Sequence, residues 1–137
     1  MSIGVIDTGI DTDSPEFAGR IDSRSADVAA SRGIEDTDGH GTAVAQVAAA
    51  ARNNSGIMGI AFDATLLVLR ADEPGTCISD GSSPSADGCE FQNSSIAAGL
   101  DRAIAANARV VNISLGGSAP SLALRQAVDR ATQAGIV

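Results

Sequence analysis

The sequence predicts an α/β protein with a doubly wound, mainly parallel sheet. Three observations lead there. Short apolar and β-branched runs alternate along the chain with stretches of helical period, the grammar of right-handed crossovers between parallel strands. The helical stretches carry one apolar face each and close on residues suited to left-handed caps. An acid or a pair of glycines stands where strands end, and in such sheets functional residues gather beyond the carboxyl ends of the strands.

Taken in order, "SIGVID" (2–7) is a short buried strand, stopped by Thr8 and Gly9. Residues 11–38 are rich in Asp, Ser and Arg and read as surface loop with one short helical turn. "TAVAQVAAAAR" (42–52) is made of strong helix formers, with Val44, Val47, Ala48 and Ala51 predicted to face inward. Asn and Gly in "RNNSGIMGIAF" end it. "ATLLVLRA" (64–71) is the second strand. A helix is predicted over 94–106, with Ile96, Leu100, Ala103 and Ile104 on one face, Ser94 and Ser95 as caps and Asn107 as its left-handed end. "ARVVNISLGG" (108–117) is the third strand. The last helix spans 121–134 with Leu124, Val128 and Ala131 inward and Gly135 as cap, and "IV" (136–137) begins a fourth strand.

The chain of 137 residues fits one domain with a real core. With three Phe, no Trp and no Tyr, that core must be packed from small aliphatic side chains. No apolar run has the length of a membrane span, and no basic start followed by an apolar segment marks a secretory signal. The formal charge is −8 and every basic residue is arginine, without a basic cluster, which argues against nucleic acid as a partner. Cys77 and Cys89 flank the polar stretch "CISDGSSPSADGC". That spacing suggests a disulfide staple formed in an oxidising compartment, two unrelated thiols being the alternative. A metal pair is disfavoured because no third or fourth soft ligand lies nearby.

Chemistry centres on Asp7 and His40. Asp7 ends the first strand, where an acid can also serve as a plain turn former. His40, the only histidine, opens a helix between two glycines that permit close approach. A helix N-terminus disfavours an imidazolium, so a histidine that must gain a proton there needs a carboxylate beside it. Asp7 can supply that charge and fix the tautomer through Nδ1–H. Asp36 and Asp38, nearer in sequence, read as helix-start charges.

Together "VIDTGID" around Asp7, "HGTAVAQVAA" from His40 and "VVNISLGG" at 110–117 resemble three consecutive blocks of the subtilisin-like serine proteases. The likeness extends through "NNSGIMGIAFDATLLVLRA" and the closing "LRQAVDRATQAGIV". Asp before His before Ser is the chain order of that family among triad hydrolases. The resemblance implies that Asp7 is the triad carboxylate and His40 the general base. It implies that Ser114, Leu115, Gly116 and Gly117 bind an extended polypeptide substrate, the backbone as an added strand and Leu115 with the glycines as a pocket wall. Asn112 would be structural. It also implies a subtilisin-like fold of which residues 1–137 are the N-terminal part, truncated at both ends and lacking the C-terminal half of its own domain.

Departures from the pattern carry expectations too. No Gly-Thr-Ser and no Gly-x-Ser-x-Gly occurs, so neither the nucleophile nor the oxyanion asparagine lies in these residues, and the chain alone is expected to be inactive. Family members often hold calcium in the loop matching 53–61. That loop is one residue shorter here and its N-terminal partner ligand is missing, so no cofactor or metal is expected. The segment 72–93 is longer than in compact members, and its Cys77–Cys89 loop is expected to wall the cleft. Family habit and the cysteines place the protein outside the cell or at its surface. Two other readings compete: a non-catalytic domain of the same fold that binds peptides or a partner, and an α/β domain holding a small anion or sugar, which has no glycine-rich phosphate loop in its favour.

Overall fold

The structure is a computed structural model, and it describes residues 1–77, 88–117 and 119–137. Four strands form one parallel sheet: β1 (Ser2–Asp7), β2 (Ala26–Asp27), β3 (Thr65–Arg70) and β4 (Val110–Asn112). Three helices connect and cover them: α1 (His40–Ala49), α2 (Asn93–Ala105) and α3 (Leu122–Gln133), with a 3-10 turn at Pro15–Phe17. The strand order is β2-β3-β1-β4. β1 therefore lies between β3 and β4, pairing Ile3 with Leu66 on one side and with Val110 on the other.

Alternation along the strands divides the apolar side chains between two cores. Ile3 and Val5 of β1 and Leu66 and Val68 of β3 pack with Ile10, Phe17, Ala45 and Ala49 under α1. Ile6, Leu67 and Leu69 face the other way, onto Ile96, Leu100 and Ala103 of α2 and Ala127 and Ala131 of α3. Helices thus cover both faces, as a doubly wound sheet requires. Small residues set the layer spacing. A Cβ on Gly99 would sit 2.9 Å from Ile6 Cδ1, so α2 lies against β1 as closely as glycine allows.

Four local expectations are corrected. β2 falls within the stretch read as loop. It is only two residues long, Ala26 and Asp27, and exists because β3 offers it a partner, with Ala26 set against Leu69. On α1 the buried stripe is Gly41, Ala45 and Ala49, while Val47 is 64 % exposed. Of the expected inward set, Val44 and Ala48 do pack, partly buried, against the core under α1, while the smallest side chains make the closest approach to the sheet. On α3, which packs against α2, Ala127 and Ala131 are buried and Leu124 packs against the core as expected, while Val128 is exposed. Ser94 and Ser95 lie inside the first turn of α2, whose N-cap is Gln92, and make no capping bond.

Asn107 and Gly135 end their helices with positive φ, 55° and 80°, as expected. β4 is shorter than the run 108–117 because only residues 110–112 keep regular pairing with β1. Beyond it, Val111 N donates to Val137 O at 2.9 Å and Val137 N to Arg109 O at 3.2 Å, so the closing Ile-Val lies along the free side of β4.

Candidate active site

Asp7 is the last residue of β1 and is 1 % exposed. Its Oδ1 accepts from Thr8 N at 2.8 Å and lies 2.7 Å from His40 Nδ1. A carboxylate only accepts, so Nδ1 carries the hydrogen and the basic lone pair of the neutral ring falls on Nε2. The His40 side chain is 49 % exposed, which leaves that nitrogen within reach of a substrate. The hydrogen bond to Asp7 raises the imidazole above its ordinary value of 6.5; burial opposes this, and the charges of Asp7, Asp38 and Asp36 reinforce it.

The start of α1 is built to hold this ring. Gly39 takes a left-handed conformation, φ 103°, and turns the chain into the helix. Asp36 supplies the cap. Its carboxylate accepts from Gly39 N at 2.9 Å, Thr42 N at 2.8 Å, Thr42 Oγ1 at 2.6 Å and Thr8 Oγ1 at 2.9 Å. Burial would raise this carboxyl, but the bonds from Thr42, Gly39 and Thr8 outweigh it and hold Asp36 below the usual range. Asp38 accepts from His40 N at 3.3 Å. Both acids therefore serve the helix start, as read from the sequence. Thr8 Oγ1 also accepts from Gly41 N at 2.9 Å, which ties the residue after Asp7 to the residue after His40. A side chain on Gly41 could not be accommodated, since its Cβ would lie 2.4 Å from Gly9 O.

Regular pairing between β1 and β4 ends at Val5 and Asn112, and Ser114 follows two residues further along the chain. Asn112 Nδ2 donates to Ser114 Oγ at 2.8 Å, a local bond in keeping with a structural asparagine. Leu115, Gly116 and Gly117 then line a groove of about 1040 Å³ whose apolar walls include Phe91, Ile96 and Leu124. Val128, exposed on α3, contributes to the same groove. Three of the four residues assigned to substrate from the sequence therefore share one concavity, and Ser114 precedes them in the chain.

Cys77 and Cys89 are joined, with their Cα atoms 4.0 Å apart. Around the bond, Glu73 N donates to Glu90 O at 2.8 Å and Asp72 pairs with Phe91 in an antiparallel bridge. Cys89 and Phe91 both line the groove, so the bonded cysteines brace one of its walls. Residues 78–87 of that loop lie outside the described residues. Asp38 Oδ comes within 4.8 Å of both sulfurs, but these are bonded to each other and are not free ligands.

Sequence reasoning assigned nothing to a group of charges behind the helix start: Arg70 and Asp72 at the end of β3, with Asp27 of β2 and Arg32 from the loop that follows it. Arg70 Nε donates to Asp72 Oδ1, Arg32 Nη1 to Asp72 Oδ2 and Arg32 Nε to Asp27 Oδ2, each at 2.8 Å. The one available signal was an arginine closing an apolar strand in "LLVLRAD".

Comparison with known proteins is consistent throughout. All 137 residues match the sequence model of the subtilase family, Peptidase_S8. The chain is similar to subtilisin E of Bacillus subtilis (strain 168), at 35 % identity over 137 residues, covering 100 % of this chain and 32 % of that one. It is 36 % identical over 140 residues to subtilisin BL of Lederbergia lenta, of which it covers 45 %. Among solved structures, fervidolysin from Fervidobacterium pennivorans, a keratinolytic enzyme related to subtilisin, superposes with a TM-score of 0.77 at 27 % identity, over 100 % of this chain and 20 % of that one. A cold-adapted subtilisin-like serine proteinase gives 0.73 at 29 % identity, over 98 % and 43 %. The chain thus spans less than half the length of the curated relatives it matches.

Proposed function

The chain belongs to the subtilase family, and on that premise we propose that it is the Asp- and His-bearing part of a serine endopeptidase that cleaves polypeptides. The observation that carries this reading is the 2.7 Å contact between His40 Nδ1 and the buried Asp7 carboxylate. In the proposed reaction Asp7 holds the ring and supports its positive charge. His40 Nε2 takes the proton of a serine nucleophile and returns it to the leaving amine. An extended substrate lies along Ser114–Gly117 as an added strand, with a side chain seated in the groove beside Leu115.

No Gly-Thr-Ser occurs among these residues, so the serine belongs to sequence outside them. In subtilisin itself, loss of the serine costs about 10⁶ in turnover and loss of one oxyanion donor about 10²–10³. Those are measured sizes, not consequences of the present geometry. On that scale a polypeptide confined to residues 1–137 has no detectable activity. We assign no calcium to the loop 53–61. The bond between Cys77 and Cys89 favours an oxidising, extracytoplasmic compartment. No described helix is long and apolar enough to cross a membrane.

A serine-directed fluorophosphonate tests the reading. It should label the full-length protein and not its His40→Ala variant, and residues 1–137 alone should stay unlabelled. Labelling of the short chain would overturn the assignment.

A further inference from the structure

Arg70 is a cation in a place where a leucine would pack. The four preceding residues of its strand, Leu66 to Leu69, are all buried and apolar, and the Arg70 side chain is itself only 7 % exposed. Removing a guanidinium from water is costly, and a sheet core gains nothing from a charge that apolar packing could not supply. What the charge does is therefore read from where its N–H groups go.

One edge of the guanidinium meets Asp72, with Nε donating to Oδ1 at 2.8 Å and Nη2 to Oδ2 at 3.3 Å. The remaining donors reach a single tripeptide: Nη1 donates to Glu35 O at 2.6 Å and Nη2 to Thr37 Oγ1 at 3.4 Å. Between those two residues stands Asp36, the cap of α1. The other side of the same segment is fixed by Ile10, whose N donates to Ile34 O at 2.9 Å and whose O accepts from Asp36 N at 3.1 Å. Asp36 is thus held between a backbone pairing on one flank and a planar, forked cation on the other. Asp72 in turn is held by Arg32, which also bonds Asp27, so the four charges sum to zero. The fork geometry rather than a net field reaches the helix start.

We propose that Arg70, anchored by Asp72, is a positioning residue for His40: it clamps Glu35 and Thr37 so that Asp36 sets the first turn of α1 and aims the imidazole at Asp7. The clamp rests on the proteolytic reading above for its kinetic consequence, but its structural consequence stands apart from that reading. Arg70 also shares its strand register with Asp7, its Cα partner across the sheet, so base orienter and clamp rise from one rigid platform.

The test uses the full-length protein and the variants Arg70→Met and Arg70→Lys. Lysine keeps the charge for Asp72 and loses the fork, so it decides the matter should the methionine variant not fold. The expected result for Arg70→Lys is a kcat about tenfold lower with KM within about twofold, the pattern of a displaced catalytic group. With ¹⁵N-labelled histidine, and His40 assigned by its loss in His40→Ala, the low-field Nδ1–H resonance should move or broaden. Arg24→Gln, which breaks a surface pair with Asp22 at 2.6 Å, should change neither reading. An unchanged kcat with an unchanged resonance overturns the proposal. A fall in kcat that follows the folded fraction alone, with the resonance unmoved, also overturns it. If the wild-type protein cleaves no peptide, the proteolytic reading fails while the resonance still decides the clamp.

Discussion

His40 Nδ1 and Asp7 Oδ1 meet at 2.7 Å although 33 positions separate them in the chain, and each is fixed by a different element, the end of β1 and the start of α1. Replacing Asp7 by Asn puts an amide where only an acceptor serves. The ring then loses its reason to hold hydrogen on Nδ1, and Nε2 ceases to be the basic nitrogen. Turnover of the full-length protein should fall by about 10⁴, the size of an Asp→Asn change in a serine-protease triad that leaves the wrong tautomer, with little change in KM. A loss under tenfold in steady-state kinetics would contradict the assignment.

The protonation of His40 gives a second expectation. Its hydrogen bond to Asp7 raises the folded-state value above 6.5. The sign follows directly: the interaction stabilises the fold fully below the unfolded value and is lost as pH rises through the folded one. The same group must be neutral to act as base, so kcat/KM should climb with pH through that higher value. NMR titration of the His40 Cε1–H should place its midpoint above 6.5, and Asp7→Asn should lower it. A midpoint at or below 6.5 in the unaltered protein would refute this.

Gly41→Ala should damage both stability and catalysis. The added methyl would meet backbone, Gly9 O at 2.4 Å, with Thr8 Oγ1 at 3.1 Å, so no flexible side chain can make way. Displacing α1 should cost about 1–3 kcal/mol in denaturant unfolding and lower kcat through the shifted His40. Wild-type stability in this variant would mean that the close approach is not needed.

Reduction of Cys77–Cys89 should destabilise the chain by about 3 kcal/mol in the chain-entropy view. It should also loosen the groove wall carrying Cys89 and Phe91. Double Cys→Ser variants of the full-length protein, profiled with peptide libraries, should change preference for the side chain seated beside Leu115 while keeping the pH dependence set by His40. Unchanged preference would separate the disulfide from specificity.

Asp27 links acid stability to the buried charges. Its burial raises the carboxyl, yet the bonds from Arg32 and from the backbone N–H groups of Arg32, Ala30 and Ala29 outweigh this and bring it to about 2. A depressed folded value gives stability above the unfolded one, near 3.9, that is lost as pH falls through about 2. Roughly 2 kcal/mol should disappear across that window, and Arg32→Gln should move the loss to higher pH in an acid-unfolding curve. Coincident curves would sink the linkage.

Much of this molecule is legible locally. "SIGVID" has one reading because six residues alternate between two buried faces and an acid ends them. The helices at 93–105 and 122–133 announce themselves through period and caps. A histidine at a helix start needs a carboxylate, and the family resemblance, not local chemistry, singles out Asp7 over the nearer Asp36 and Asp38. What was not legible depends on partners distant in sequence. β2 has no signal of its own and is strand only because β3 is there. Val47 and Val128 lie outward while Val44 and Leu124 on the same helices pack inward, a choice between neighbouring positions that depends on what each helix packs against. Arg70 is a lone cation until Glu35, Thr37 and Asp72 surround it.

The strand order carries a consequence for how the molecule is assembled. β1 is the first of the four strands in chain order, yet both of its partners come later, β3 and then β4. Its edges stay unpaired until Thr65–Arg70 arrives, and the far edge waits until Val110–Asn112. Loop closure over such spans is entropically slow. The Asp7 end of β1 therefore comes early in the chain, yet gains both of its strand neighbours only through long-range closure.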